Sequence, residues 1–375
     1  MKRRELQQIV GVPFLPPARA TQVVFRLRRI LRAAHRRSAP PSVQILEGLF
    51  GLFDNRVLAL LVELDIPDLL THPIGVEELA ARTATEAGAL ERVLRYAASR
   101  GYVRRDRHGR YRANGVTTAL RRDHRNSWRG WVEFVGSSWY WDSWRHLDAA
   151  VRGKSNGIEA ATGHDFFDFV NHVQPDAGAA FNLAMQAGAT LHAVLLLGAF
   201  DWSQVRHVCD VGGGTGAAIE ELLRARSGLR ATLVDLPEVV ASARPALVDG
   251  PLARRCDRRG GSFFDPLPAG ADRYLLLVVL HDWDDEHAVA ILRRVADALP
   301  AHGRAIIVEK VLRADGVGDD LTLASDLIML ALASGHERDD RQFDVLFGAG
   351  GLRVEQRVLL GSGFTAFVAA RAAFA

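Results

Sequence analysis

The sequence predicts an α/β fold in which a mostly helical N-terminal part precedes a Rossmann-like domain. From Val205 onward, apolar strand-like runs alternate with helical patterns, the order typical of a parallel sheet. Before it, residues 43–125 have the pattern of helices followed by a β-hairpin, which is the order of elements in a winged helix. We therefore expect three parts: a basic extension (1–42), a helical and winged-helix domain (43–198) and a nucleoside-binding domain (199–375).

The element pattern of the last part is the most regular. Its predicted strands and helices follow one another as in a doubly wound sheet, with a late antiparallel pair at the end. The strands are residues 205–211, 231–235, 273–280, 304–310, 352–360 and 364–370, and the helices are residues 217–226, 286–298 and 339–349.

Composition excludes several classes of protein. The two cysteines are far apart and form no CxxC pair, which argues against a disulfide framework or a zinc cluster. The apolar run 275–280 is too short to cross a bilayer, and no apolar signal core follows the basic start. We predict a cytoplasmic protein without a membrane partner.

The net charge of +3 conceals an uneven distribution. Residues 1–40 have ten Lys or Arg against one acidic residue, whereas the rest of the chain has 37 basic and 43 acidic residues. A nucleic-acid enzyme would usually place its positive field on the folded body, so we predict no nucleic-acid partner. Residues 21–37 predict a basic amphipathic helix that contacts either a membrane or, as we favour, a neighbouring domain or subunit.

A glycine-rich turn is the first candidate site. An apolar strand ends in the sequence Asp210-Val-Gly-Gly-Gly-Thr-Gly216, and a helix follows. Glycines allow a ligand to approach the backbone, and the start of the helix offers free N–H groups. Asp235 ends the next strand, where a carboxylate can accept both hydroxyls of a ribose. The pattern predicts a nucleoside site, and the residues alone leave a dinucleotide open.

A histidine after the third strand is the second candidate site. His281 follows the run 274–280, at the edge of the sheet where ligands of open α/β proteins bind. It is therefore placed to act as a general base. Asp284, Asp285 and Glu286 are interpreted as the start of the next helix, and His287 as a surface residue.

Six segments together resemble one enzyme family in their order along the chain. They are 210–216, 235–237, 261–264, 280–286, 308–310 and 337–338. They resemble the S-adenosylmethionine-dependent O-methyltransferases of the caffeic acid and acetylserotonin type, including bacterial enzymes that modify aromatic natural products. The resemblance covers about residues 43–370 and implies a class I methyltransferase domain after a winged-helix domain for dimerisation and substrate cover. It also implies a homodimer and a small aromatic acceptor.

The resemblance assigns roles to individual positions. Two glycines would contact the methionine part of S-adenosylmethionine, an acid and its neighbour the ribose, and two residues the adenine: Gly212, Gly214, Asp235, Leu236, Ser262 and Phe263. His281 would be the base, bracketed by two carboxylates and assisted by a third acid: Glu309, Glu337 and Asp282. Phe181 and Met185 would line the acceptor pocket, and no metal is implied.

The chemistry explains why such residues would be used. A phenol has a pKa near 10 and histidine near 6.5, so full proton transfer is uphill by about 3.5 units, roughly 5 kcal/mol. Carboxylates that stabilise the imidazolium reduce that gap. Leu277, Val278 and Ser262 depart from the residues common in relatives, which leaves the contacts to the cofactor open.

Several other functions stay open on the sequence alone. The same scaffold could methylate carbon or nitrogen, or act as a non-methylating hydroxylase or decarboxylase. A winged-helix DNA-binding regulator would use the hairpin arginines for phosphates, although we favour a solvated arginine surface. A nicotinamide dehydrogenase is the weakest alternative.

Overall fold

Two units of different architecture make up residues 18–313, 320–360 and 363–372, which the computed structural model describes. One unit contains the chain up to Arg29 together with Asp142–Gln174 and Gly188–Ala375. The other contains Ile30–Trp141 and Pro175–Ala187. One long helix, Pro175–Ala199, contributes to both units, so a boundary at residue 198 does not follow this division. The limits at residues 42 and 198 stay a prediction.

The chain from residue 18 to 199 is helical apart from one short hairpin. Its strands are β1 (Arg104–Arg105) and β2 (Tyr111–Arg112), and its helices are α1 (Ala18–Ser38), α2 (Pro41–Glu63), α3 (Ile66–Leu69), α4 (Val76–Thr83), α5 (Ala87–Ser99), α6 (Gly115–Ala119), α7 (Arg129–Gly136), α8 (Ser138–Arg145), α9 (Leu147–Val151), α10 (Gly157–Thr162), α11 (Phe166–Asp168), a π-helical turn (Phe169–Val173) and α12 (Pro175–Ala199). The predicted helix over residues 21–37 and the helix–helix–hairpin order are confirmed.

The hairpin turns at Gly109. Arg105 pairs with Tyr111, and Gly109 supplies the left-handed backbone of the turn, with φ of 78°. Two of its arginines contact acids of their own unit: Arg105 lies 3.1 Å from Glu91, and Arg110 lies 3.1 Å from Asp106. Their charge is therefore partly neutralised within this unit.

The sheet lies entirely in the C-terminal part. Its strands, with the helices between them, are β3 (His207–Val211), α13 (Ala217–Ala225), β4 (Arg230–Asp235), α14 (Pro237–Ala241), α15 (Pro245–Val248), β5 (Cys256–Gly260), β6 (Arg273–Leu277), α16 (Asp285–Ala298), β7 (Arg304–Leu312), α17 (Asp320–Leu332), β8 (Arg338–Asp339), α18 (Asp340–Ala349), β9 (Leu352–Leu359) and β10 (Phe364–Arg371). The strand order is β5-β4-β3-β6-β7-β10-β9, and β8 pairs with β7. Strands β3 to β7 are parallel, whereas β10 is antiparallel to both of its neighbours.

Two apolar cores cover the two faces of this sheet. Because side chains of a strand alternate, Val208 joins the core that contains Leu222, and Cys209 joins the core that contains Ile291. Both faces being covered explains why the central strands β3, β4, β6 and β7 are mostly apolar.

The structure corrects three predictions about elements. Strand β6 ends at Leu277 rather than at residue 280, because Val278 has a positive φ of 61° and Leu280–Asp282 forms a 3₁₀ turn. The apolar run continues past the strand since the turn is buried. Strand β5 was missed because this edge strand is mostly exposed and charged, and the prediction also lacked helix α17.

One described helix, α12, is long and apolar enough to cross a membrane by length and composition. Core helices pass the same test, so this finding is weak evidence for a membrane segment.

Candidate active site

The glycine turn after β3 has a backbone that only glycine adopts readily. Gly212 and Gly214 have φ of 70° and 59°, in the left-handed region. A Cβ on Gly213 would lie 2.6 Å from Oδ2 of Asp210, whereas a Cβ on Gly214 would meet nothing within 4 Å. The turn is therefore packed on its inner side and open at Gly214, where a ligand can reach the backbone.

Asp235 ties this turn to the end of β4. Its Oδ2 accepts a hydrogen bond from the N–H of Gly214 at 2.7 Å, and its Oδ1 accepts one from Leu236 at 2.8 Å. Burial raises the pKa of Asp235, although these two N–H groups act in the opposite direction. Each oxygen keeps lone-pair capacity for a ligand hydroxyl.

Asp210 is a buried carboxylate without a hydrogen-bond partner among the described residues. It is 1% exposed, and neither of its side-chain oxygens has a partner there. Burial, followed by the charge of Asp235, raises its pKa to about 7. Asp235, at the open Gly214, fits a ligand that offers hydroxyl groups, and Asp210 adds a second buried acid on the packed side of the turn.

Aromatic rings pack beside the glycine turn at Gly212. A Cβ on Gly212 would lie 3.5 Å from the Phe263 ring, which meets Phe264 and Trp283 edge to face at centroid distances of 5.1 and 5.8 Å. The hydroxyl of Ser262 accepts a hydrogen bond from the N–H of Phe264 at 3.2 Å. Phe263 therefore lies against the glycine turn, and Ser262 stabilises the segment that holds it.

His281 lies in the 3₁₀ turn after β6, with its side chain 11% exposed. Its Nδ1 is 3.0 Å from Oε1 of Glu337, and its Nε2 is 3.4 Å from Oδ1 of Asp282. Burial would lower the pKa of this ring. The charge of Asp282, the hydrogen bond and charge of Glu337, and the charge of Glu309 outweigh burial and raise the pKa to about 9.

Glu309 supports the backbone of the same turn. It is fully buried on β7, and its Oε1 accepts hydrogen bonds from the N–H groups of Val279 and Leu280 at 3.0 and 2.7 Å. Burial raises its pKa to about 7. For Glu337, burial acts in the same direction, but the hydrogen bond and charge of His281 prevail and lower the pKa.

His281, Glu309 and Glu337 each offer one possible ligand atom. These atoms lie within 4.8 Å of one another, a spacing that could hold a metal ion. However, one oxygen of Glu309 already accepts two backbone N–H groups, and Oε1 of Glu337 accepts from the imidazole. The second oxygen of each acid, Oε2, has no partner among the described residues.

Arg338 is a site residue to which the sequence analysis gave no role. It is 1% exposed and donates to the carbonyl oxygens of Leu280 at 2.9 Å and Trp283 at 2.8 Å. Its Nε also donates to Asp285 at 2.8 Å. Its position next to Glu337 in a recurring motif was the available signal, but the two carbonyls are more than fifty residues away in sequence.

The structure brings two groups of predicted residues to one edge of the sheet. The glycine turn, Asp235, Leu236 and Phe263 form one group, and His281, Asp282, Glu309 and Glu337 form the other. A Cβ on Gly212 would lie 3.1 Å from Val279, two residues before His281, so the groups adjoin. Phe181 and Met185 lie on the part of α12 that belongs to the other unit, and their role stays a prediction.

Comparison with protein families identifies the chain. A profile described as O-methyltransferase domain matches residues 144–353, and one described as O-methyltransferase dimerisation domain matches residues 46–123. The chain belongs to the O-methyltransferase family. It is an S-adenosylmethionine-dependent enzyme of the class I methyltransferase fold with a helical N-terminal dimerisation domain.

Individual relatives agree with this assignment. The mitomycin biosynthesis 6-O-methyltransferase of Streptomyces lavendulae is 34% identical over 317 residues, 84% of this chain and 90% of that protein. The human N-acetylserotonin methyltransferase, solved with S-adenosylmethionine, has a TM-score of 0.81 and 28% identity over 90% of this chain and 99% of its own. The O-methyltransferase NcsB1 from neocarzinostatin biosynthesis, solved with S-adenosylmethionine and 2-hydroxy-5-methyl naphthoic acid, has a TM-score of 0.68 and 30% identity over 85% and 96%.

The O-methyltransferase site fits this cofactor by its own chemistry. Asp235, a buried carboxylate with spare lone pairs, binds the N–H of Gly214, whose Cβ side is open, and Asp210, a second carboxylate without a partner among the described residues, packs against the turn at Gly213. S-adenosylmethionine offers ribose hydroxyls, an ammonium group and a sulfonium, which are the groups that such carboxylates bind.

We expect Arg338→Met to destabilise this O-methyltransferase by about 2–4 kcal/mol, because two buried carbonyls would lose their donor. Urea unfolding followed by tryptophan fluorescence measures the loss. Arg341→Met, an exposed site three residues away, is the control and should change stability by less than ~0.5 kcal/mol. Equal stability of the two variants would contradict a role for Arg338 in holding the turn.

Proposed function

We propose that this enzyme transfers the methyl group of S-adenosylmethionine to a phenolic hydroxyl of a small aromatic natural-product intermediate, with His281 as the general base. The observation that carries the proposal is the buried imidazole, which has Glu337 at Nδ1 and an acid, Asp282, near Nε2. This arrangement leaves Nε2 to accept a proton while Glu337 holds the ring and stabilises its charge.

The acids around His281 lower the free-energy cost of proton transfer from the phenol to the imidazole. With a base whose pKa is about 9, transfer from a phenol is uphill by only about 1 unit, roughly 1.4 kcal/mol. The unperturbed imidazole would face about 5 kcal/mol. The raised pKa also means that only the unprotonated fraction of the enzyme is competent at neutral pH.

The remaining contribution of the protein is positioning. When bound, S-adenosylmethionine supplies a methyl group that is already activated by its positive sulfur. Asp235 and Leu236 would hold the ribose, Ser262 and Phe263 the adenine, and Gly212 and Gly214 the methionine part. Alignment of a bound acceptor can contribute as much as ~7–11 kcal/mol.

The aromatic acceptor is inferred from relatives and from the chain. NcsB1 was solved with a hydroxynaphthoic acid, and the mitomycin enzyme is named for O-methylation in antibiotic biosynthesis. We propose that Phe181 and Met185 line the pocket for a related flat acceptor. Transfer to carbon or nitrogen, and hydroxylation or decarboxylation, are distinguished by locating the new methyl group by mass spectrometry and NMR.

We also propose that the enzyme is a homodimer. Helix α2, which starts just before the dimerisation domain match, exposes a row of large apolar residues: Val43, Ile45, Leu46, Leu49, Phe50, Leu52 and Phe53. An exposed apolar surface of this extent marks an interface, and the family profile favours a second copy. The cytoplasmic location stays a prediction from the sequence.

We expect His281→Ala to lower kcat by about 10²–10⁴-fold, since the variant lacks the group that accepts the proton. Formation of S-adenosylhomocysteine measures turnover, and calorimetric titration should show that this product still binds nearly as well as to the unmodified enzyme. His287→Ala is the matched control, because His287 is 52% exposed and outside the cluster. An unchanged rate in the His281 variant would remove this residue as the base.

The pH profile should report the same group. Because the acids raise the pKa of His281 to about 9, kcat/KM should rise with pH and level off near that value. Glu337→Gln removes one negative charge, so the break in the profile should move to lower pH, with Asp282, Glu309 and Lys310 still facing the cluster. A break that does not move would mean that Glu337 does not act through His281.

We expect Leu49→Glu to convert the dimer into monomers, because it places a charge in the exposed apolar row of α2. Light scattering after size-exclusion chromatography measures the mass. Val345→Glu is the control, since Val345 is 73% exposed on α18 in the other unit. A monomeric unmodified enzyme, or a dimer that survives the α2 change, would contradict the proposal.

A further inference from the structure

His192 is a buried polar residue that the proposed mechanism does not use. It lies on α12, within the segment Gly188–Ala375 that belongs to the sheet unit, and is 5% exposed. Neither ring nitrogen has a hydrogen-bond partner among the described residues. Because buried polar groups are nearly always paired, two unpaired nitrogens on one ring indicate a missing partner.

A chain of contacts connects His192 to the cluster around His281. Its ring meets Phe364 edge to face at a centroid distance of 4.5 Å. Phe364 lies opposite Lys310 in the β10–β7 register, and Nζ of Lys310 is 5.4 Å from the centroid of the same ring. Nζ is also 3.9 Å from Oε1 of Glu337, the oxygen that contacts His281. His192 and Lys310 therefore share one aromatic neighbour beside the base.

The electrostatics of this corner favour an electron-rich ligand group. Burial, then the charges of Lys310 and His281, lower the pKa of His192 to about 3, so its imidazole is neutral with one N–H to donate. Lys310 donates to the Ser325 hydroxyl at 2.8 Å and, as an ammonium, has two further protons. Each group therefore has a donor available beside the Phe364 ring.

We propose that His192 and Lys310 form a specificity subsite that binds a second oxygen substituent (hydroxyl, carbonyl or carboxylate) on the aromatic acceptor. The inference rests on the proposed function, since it takes the acceptor to lie at His281. An acceptor with this oxygen satisfies His192, whereas a simple phenol leaves it buried and unpaired. Such a site discriminates strongly, because the penalty falls on the ligand that lacks the group.

Matched probes test the subsite. The full-length enzyme, saturated with S-adenosylhomocysteine, is titrated in a calorimeter with 2-naphthol and with three probes that add one oxygen substituent: 2,3-dihydroxynaphthalene, 2,7-dihydroxynaphthalene and 3-hydroxy-2-naphthoate. We expect at least one of the three to bind about tenfold or more tightly relative to 2-naphthol. If none binds at least fivefold more tightly, the proposal is overturned.

Variants assign the preference to the residues. His192→Phe should reduce the difference in affinity between the preferred probe and 2-naphthol to within about twofold. His192→Gln keeps a donor and should restore part of that difference. Lys310→Met should weaken binding of the carboxylate probe most. Thr190→Val is the control: this residue is equally buried on the same helix but points to another face, so the preference should persist. A preference that survives His192→Phe also overturns the proposal.

The outcomes separate this inference from the proposed function. Product analysis on the same probes shows whether the methyl group is on oxygen, independently of which probe binds best. O-methylation without a preference removes the subsite alone, and a preference without O-methylation removes the proposed reaction alone.

Discussion

The buried imidazole of His281 and the acids around it are the constraint on which the rest of the active site depends. A charged group in the interior is stable only when it is paired and hydrogen-bonded. The carboxylate of Glu337 lies 3.0 Å from Nδ1 of the ring. The carboxylate of Glu309 accepts a hydrogen bond from the backbone of the turn that carries the ring. Arg338 fixes the other side of the turn through two carbonyls. The proposed base is thus surrounded by groups from three segments: Asp282 next to it in the turn, Glu309 on β7, and the adjacent Glu337 and Arg338.

The sheet explains why these segments meet. Strands β3, β4, β6 and β7 are parallel and adjacent, so the chain segments after them gather at one edge. The positive φ of Val278 ends β6 early and turns the chain toward β7. There Glu309 accepts hydrogen bonds from two backbone N–H groups of the turn. The glycine turn after β3 comes within contact distance of this segment at Val279. The glycine turn and the turn that contains His281 are therefore neighbours in the fold.

Some buried polar side chains in and near the two candidate sites have unpaired atoms. Asp210 at the glycine turn, Oε2 of Glu309 beside the base and both nitrogens of His192 lack partners among the described residues. Buried polar groups are usually paired, so each of these is a candidate contact for a ligand. The proposed acceptor contact is at His192, and the proposed cofactor contact is at the glycine turn.

The sequence by itself determined the class of the fold, the glycine turn and the candidate base, because each depends on local pattern or on a short motif. His281, Glu309 and Glu337 are recognisable in this way. Only the tertiary structure decided which carbonyls Arg338 binds and that both nitrogens of His192 are unpaired among the described residues, since the groups around them lie far away in the chain. It also decided where β6 ends, because an apolar run does not distinguish a buried strand from a buried turn. Local pattern specifies elements, and packing specifies which polar atoms are left for a ligand.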